Sequence, residues 1–201
     1  GQKRNIARLF DVMRLQRETR SALEKFVHLQ LDNGGFAWFP GGPDDRYMTQ
    51  YIVSGLGRLR KLGAWPADNK ILEQVLDKAL AYLDKRLIDD YDQLIKQKAN
   101  LAVDHLSPLA IQYLYGRSFF ADRPVPGTVM RAFSFYRKQA LQFWSRQNRY
   151  MQGMIAIALY RTGEKQGAMN ILTSLKQNAL RSEELGMYWK EFNTGGYYWN
   201  Q

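Results

Sequence analysis

The chain has no cysteine among its 201 residues and only two histidines, His28 and His105. Without cysteine there is no disulfide, no thiolate metal site and no sulfur nucleophile, and the redox compartment is left open. Long apolar runs are missing as well. The longest, Met154 to Tyr160, has seven residues, far short of the roughly 20 that cross a bilayer, so no membrane insertion is expected of this domain. No apolar segment follows Lys3 and Arg4 at the start, so no signal peptide is read in these residues. Acidic residues are scarce relative to basic ones, 19 against 29, for a formal charge of +10. Such an excess suits nucleic acid, anionic lipid or an acidic protein. Here the cations are spread along nearly the whole chain. The nearest to clusters are Lys3, Arg4, Arg8, Arg14, Arg17 and Arg20; Arg58, Arg60 and Lys61; and Arg131, Arg137, Lys138, Arg146 and Arg149. None forms a nucleic-acid motif, and a solvated basic surface is the better reading.

What is present is ordinary for a globular domain: 45% hydrophobic, 24% charged and 13% aromatic residues. A chain of this length removes roughly 70% of its unfolded surface from water. One substantial core is expected, with residues 1–201 forming a single domain.

The apolar pattern is helical almost throughout. Ile6, Leu9, Phe10, Met13, Leu23, Phe26, Val27 and Leu31 recur at helical spacing, predicting one long or two nearly continuous helices over residues 5–31. Gly34 and Gly35 then stop the chain, and Pro40, Gly41, Gly42 and Pro43 delay a restart. A helix beginning near Asp44 or Asp45 runs to Gly63, with Ser54, Gly55 and Gly57 permitting close helix approach. The next, capped by Asp68 and running to about Leu87, carries a stripe of Leu72, Val75, Ala79 and Leu83. Residues 88–100 are polar and ambiguous. Ser107 and Pro108 open a short helix that Gly116 ends. Thr128 caps a helix whose Phe133, Tyr136, Ala140, Phe143 and Trp144 share one face. Residues 148–162 are apolar on all sides, and residues 164–180 are amphipathic through Ala168, Leu172, Leu175 and Ala179, with Gly163 between. An inner helix followed by an outer one, with short loops, predicts an all-α fold of repeated antiparallel helical hairpins.

Two turns share one order, glycine, glycine, aromatic, any residue, tryptophan: Gly34, Gly35, Phe36, Ala37, Trp38 and Gly195, Gly196, Tyr197, Tyr198, Trp199. The echo points to an internal repeat. Paired glycines allow a tight fold after a helix while the aromatic pair drops into the gap between hairpins, so a structural wedge is preferred to a ligand site.

Reactive constellations are thin. His28 and His105 have neither metal-ligand nor triad spacing; His28 reads as a helix residue, and His105, in a loop, is the one weak binding candidate. Asp89, Asp90 and Asp92 invite magnesium–diphosphate chemistry, but they lack the isoprenoid-synthase pattern, and neighbouring cations favour a solvated helix start. Asp44 and Asp45 read as helix caps. No phosphate loop, serine-nucleophile motif or histidine pair occurs, so catalysis, a metal and a cofactor are not expected. Trp38, Trp65, Trp144, Trp189 and Trp199 suit core completion better than a sugar or peptide groove.

The run Leu31, Asp32, Asn33, Gly34, Gly35, Phe36, Ala37, Trp38, Phe39, Pro40, Gly41, Gly42, continuing through Arg46, Tyr47, Met48, Thr49, Gln50, Tyr51 and Ile52, resembles the bacterial alpha-2-macroglobulin family. Gly55 to Gly63, Tyr188 with Trp189, and the turn from Gly195 to Trp199 resemble it too, so the likeness spans nearly the whole chain. It implies the thioester-containing domain, an α/α toroid of concentric helix pairs shared with terpenoid cyclases and protein prenyltransferases. A full ring has about twelve helices and roughly eight are read here, so part of a toroid is expected. In that family the domain belongs to a large envelope-associated protein of the periplasm or cell envelope that traps proteases once its bait region is cut. The resemblance thus implies a non-catalytic scaffold in a broad-spectrum endopeptidase inhibitor, with proteases and neighbouring domains of the same chain as partners. The thioester's cysteine is not in this chain; in related sequences it lies upstream of the first segment. A histidine in a later loop modulates the acyl group in thioester proteins, and His105 lies in the corresponding neighbourhood. Two alternatives stand beside this: a toroid-class enzyme acting on a diphosphate or polysaccharide, and a basic helical adaptor for nucleic acid.

Overall fold

Apolar residues at helical spacing, punctuated by capping residues, set the element order. The computed structural model describes residues 14, 17–18, 21, 24–65, 70–184 and 186–189. Among these, six helices run as α1 (Arg46–Lys61), α2 (Lys70–Lys96), α3 (Pro108–Arg117), α4 (Met130–Phe143), α5 (Arg149–Arg161) and α6 (Lys165–Gln177). Residues 24–28 are helical as well, and a 3₁₀ turn, Trp144–Arg146, links α4 to α5. The chain is mostly helical, as expected. Two small antiparallel hairpins are additions that the sparse alternation did not announce: β1 (Phe36–Ala37) with β2 (Asp44–Asp45), and β3 (Leu180–Ser182) with β4 (Gly186–Tyr188).

Three of the predicted starts form, two with the caps expected and one with a cap at Asn148 that was not read from the sequence. Asp45 accepts a hydrogen bond from the Met48 amide at 2.7 Å, Ser107 from the Ala110 amide at 3.1 Å with Pro108 in the first turn, and Asn148 from the Met151 amide at 2.9 Å. Each satisfies an amide that the helix itself leaves unpaired. Thr128 does not cap α4. That helix starts at Met130 with no side-chain cap, its entry built from backbone bonds of Val129 and Met130 to Pro126 and Gly127. Gly116 does not end α3 but lies inside it, where a Cβ would stand 3.1 Å from the Ser54 hydroxyl oxygen. Residues 88–96, polar by sequence, continue α2 because Leu87 and Tyr91 extend its buried stripe. Asp68 lies outside the described residues.

Packing sorts the helices into two layers. α3 lies between α1 and α5, and these three form a front row; α2 backs α1, α4 backs α3, and α6 backs α5, with α2 also touching α4. The core lies between the layers and includes Val53, Leu76, Leu87, Ile111, Ile155 and Ile171. Burying each such side chain contributes roughly 1.5–3 kcal/mol. Of the small residues of α1, Ser54 and Gly57 lie at close approaches as expected, whereas Gly55 has nothing within 4 Å of a Cβ: a Cβ at Gly57 would come within 2.5 Å of Phe119, so the two segments meet only because glycine stands there. Two details differ. α5 is not apolar-buried all round, since Ile157 and Tyr160 are exposed, and in α6 Ile171 is buried while Leu172 is exposed. α6 is rotated so that Ala168, Ile171 and Leu175 face the core, a 3–4 spacing that the 168, 172, 175 reading approximated.

Candidate functional site

The double-glycine turn is tightly built against α2. Gly34 has φ +87°, and a Cβ there would lie 2.3 Å from the Lys78 carbonyl oxygen of α2. Gln30 ties the turn to that helix, its Nε2 donating to the carbonyls of Gly34 at 3.0 Å and Val75 at 2.9 Å. Phe36, 1% exposed, stacks on Phe26 with ring centroids 5.0 Å apart. Its amide donates to Thr49 Oγ1 at 2.9 Å, and that hydroxyl donates to the Asp45 carbonyl at 2.7 Å. The first helical segment, α1 and α2 are therefore joined through one turn. The wedge is a single ring, however. Trp38 does not enter the gap: it is 53% exposed and stacks on Tyr47 at 6.3 Å. Gly195, Gly196, Tyr197 and Trp199 lie outside the described residues.

Asp44 and Asp45, alike by sequence, have different roles. Asp45 caps α1, whereas Asp44 faces α2 and accepts from the Tyr82 hydroxyl and from Arg86, each at 2.6 Å. The Tyr82 hydrogen bond, followed by that of Arg86, holds the Asp44 carboxyl below its ordinary range.

Asp89, Asp90 and Asp92 sit in the C-terminal third of α2, not at a helix start. Asp89 pairs with Lys85 at 3.0 Å, while Asp90 pairs with Arg46 of α1 at 2.6 Å. Their side chains thus serve separate ion pairs. Among the described residues no group of three histidine, cysteine, aspartate or glutamate side chains is arranged to hold a metal ion. His28 is an exposed helical residue. His105 is tied into the α2–α3 connection, its Nε2 2.9 Å from the Asn100 carbonyl oxygen and its amide donating to Gln139 Oε1 at 2.8 Å. Gln139 in turn donates to the carbonyls of Leu101 and Val103. This arrangement pins a loop to α4; it brings no nucleophile to the imidazole.

One polar cluster escaped the sequence reading. Asp84, 5% exposed, accepts from the Tyr113 hydroxyl at 2.5 Å and faces Arg117 Nε at 3.4 Å. Arg117 also donates to the carbonyls of Phe120, Arg123 and Pro124. Burial raises the Asp84 carboxyl above its ordinary range and pushes the Tyr113 phenol well above its own. The signal was present: Asp84 follows Leu76 and Leu80 at four-residue spacing, which puts a carboxylate on the buried stripe of α2. Its chemistry is architectural, anchoring the α3–α4 loop through one guanidinium. The crevice between α3, α4 and α5, lined by Leu114, Arg137, Ile155 and Thr162 among others, measures about 10 Å³, room for a single water.

No protein-family model matches the chain, and no curated protein matches it.

Proposed function

We propose that this domain is a non-catalytic scaffold and interaction module of a bacterial macroglobulin-like endopeptidase inhibitor, one arc of an α/α toroid within a longer envelope protein. The observation that carries the reading is the two-layer order of helices, with α1, α3 and α5 side by side and each backed by the helix that follows it. A further pair continuing the same step on either side would curve the row toward a ring. The glycine–aromatic turn supports the same reading, because it locks the first hairpin to the segment before it through Phe36 and the Gly34–Lys78 approach. The polar groups nearest to chemistry, Asp84 with Arg117 and His105 with Asn100, are engaged in holding loops. That favours a rigid module over a diphosphate- or polysaccharide-processing enzyme. The dispersion of cations, many of them in ion pairs, disfavours a nucleic-acid adaptor.

The test is made on the full-length protein that carries this domain. Cleavage by several unrelated proteases should compact it, and the trapped proteases should keep activity on small peptide substrates while losing it on large proteins. Cleavage without compaction, or with undiminished attack on large substrates, overturns the reading.

A further inference from the structure

The three front-row helices come from distant parts of the chain, yet α1, α3 and α5 together contain no aspartate or glutamate and seven lysines or arginines. α2 behind them holds six acids. Three of the front-row cations are neutralised from elsewhere: Arg46 by Asp90, Arg60 by Asp122 and Arg117 by Asp84. Arg58 and Arg161 are not. Among the described residues no carboxylate lies within ion-pair distance of either; Arg161 donates to the Ser118 hydroxyl at 3.4 Å, and their other neighbours are aromatic. Both guanidiniums stand by the ring of Tyr115 in α3, at 5.8 and 5.9 Å from its centroid, and Arg58 Nε donates to the Tyr115 hydroxyl at 3.4 Å. Arg161 is further packed over Phe119 at 3.9 Å, and Tyr150 of α5 lies within electrostatic reach of Arg58. One cluster therefore spans all three helices of the row.

Helical spacing extends this cluster into a surface. Tyr51, Gly55 and Arg58 share a stripe of α1; Tyr150, Gly153, Ile157 and Arg161 share one of α5. Tyr51, Tyr150 and Ile157 are exposed, and a Cβ on Gly55 or Gly153 would meet nothing within 4 Å. The result is an open face with aromatic and aliphatic walls, two guanidiniums that no described carboxylate neutralises, and no acid on the three helices that form it.

We infer that this face docks an acidic peptide segment, with carboxylates on Arg58 and Arg161 and apolar side chains on Tyr51, Tyr150 and Ile157. Guanidinium pairs carboxylate in bidentate fashion, and stacking on an aromatic ring pre-orients it, so little side-chain freedom is lost on binding. Charge complementarity selects an acidic partner and speeds its arrival. A nucleic acid needs a series of free cations along its phosphates, and the row's remaining arginines are largely engaged in ion pairs. The inference rests on the face alone and is independent of the inhibitor reading.

The test is fluorescence anisotropy of the protein with a labelled peptide rich in glutamate and aspartate and carrying tyrosine and leucine, against a lysine-for-glutamate counterpart and an oligouridylate. The acidic peptide should bind and the basic one should not. The double substitution Arg58→Gln with Arg161→Gln should weaken binding by about tenfold or more, while Lys176→Gln on exposed α6 should leave it unchanged. Because Arg161 also packs on Phe119, Arg58→Gln alone is the second variant; its side chain is exposed, it should keep the parent melting temperature, and it should still lose severalfold affinity. Equal binding of both peptides, unchanged affinity in the Arg58 variant, or oligouridylate displacing the acidic peptide overturns the proposal.

Discussion

Replacing Gly34 by alanine tests the wedge at its narrowest point. Two costs add there. The φ of +87° places an L-residue in the left-handed region, which costs roughly 1–2 kcal/mol. The new Cβ would lie 2.3 Å from a backbone oxygen of α2, so the turn must shift away from a helix that the rest of the core holds in place. Overpacking of this kind costs typically 1–3 kcal/mol, and the shift would also lengthen the Gln30 bonds to Gly34 and Val75. Loss of unfolded-state freedom returns about 0.4–1 kcal/mol, leaving a net destabilisation of about 1–5 kcal/mol. Two neighbouring glycines separate the terms. Gly41 has φ +78° with nothing within 4 Å of a Cβ, so Gly41→Ala carries the dihedral cost alone, about 1 kcal/mol after the same offset. Gly35 has ordinary φ but would place a Cβ 3.0 Å from Asp44 and Tyr82, so Gly35→Ala reports the crowding. Urea unfolding monitored by circular dichroism ranks the three. If Gly34→Ala costs no more than Gly41→Ala, the close approach to α2 contributes nothing and the wedge argument fails.

Three further outcomes follow from the polar contacts. Asp84→Ala strands the buried Arg117 guanidinium and should cost about 3 kcal/mol or more, whereas Asp84→Leu combined with Arg117→Met should cost less than the two single changes summed; additivity in that cycle would deny the coupling. Asp44 has its carboxyl lowered by Tyr82 first and Arg86 second, so the stability it contributes is fully present above its unfolded value, about 3.9, and is lost as pH falls through the lower folded value. Asp44→Asn should therefore unfold at lower urea at pH 7 and show a flatter acid limb below about pH 4, and parallel urea-midpoint curves for variant and parent would contradict this. Asn148→Ala removes the cap bond to Met151 and should destabilise by about 1 kcal/mol in thermal melts; an unchanged midpoint would mean that water replaces the cap at no cost.

Local chemistry was legible in the chain. Asp45 and Ser107 cap helices because a short polar side chain before an apolar periodic run satisfies orphan amides, and that needs no tertiary context; Asn148 caps by the same rule, though it was not singled out. The stop at Gly34 and the buried stripe Leu72, Val75, Ala79 and Leu83 were equally plain, since both depend on residue type and spacing over a few turns. The extension of α2 through residues 88–96 was less so, because a single buried aromatic, Tyr91, outweighs a polar stretch only when another layer covers it. Trp38 was misplaced for a related reason: a tryptophan after a tight turn suits a core or a surface stack equally, and Tyr47 settles which. Asp44 and Asp45 differ only in what lies opposite, one facing the amides of its own helix and the other facing Tyr82 and Arg86.

The sequence by itself determined that the chain is helical, where most helices begin and which faces of α2 and α4 turn inward, because those follow from hydrogen-bonding side chains and a 3.6-residue period. Only the tertiary structure decided that helices distant in sequence stand side by side as α1, α3 and α5. Scattered arginines that looked like a general basic surface become, in that row, two guanidiniums around one tyrosine with no carboxylate at ion-pair distance among the described residues. Charge spacing along a chain does not encode which charges meet across helices, and only packing assigns each arginine its carboxylate or withholds it.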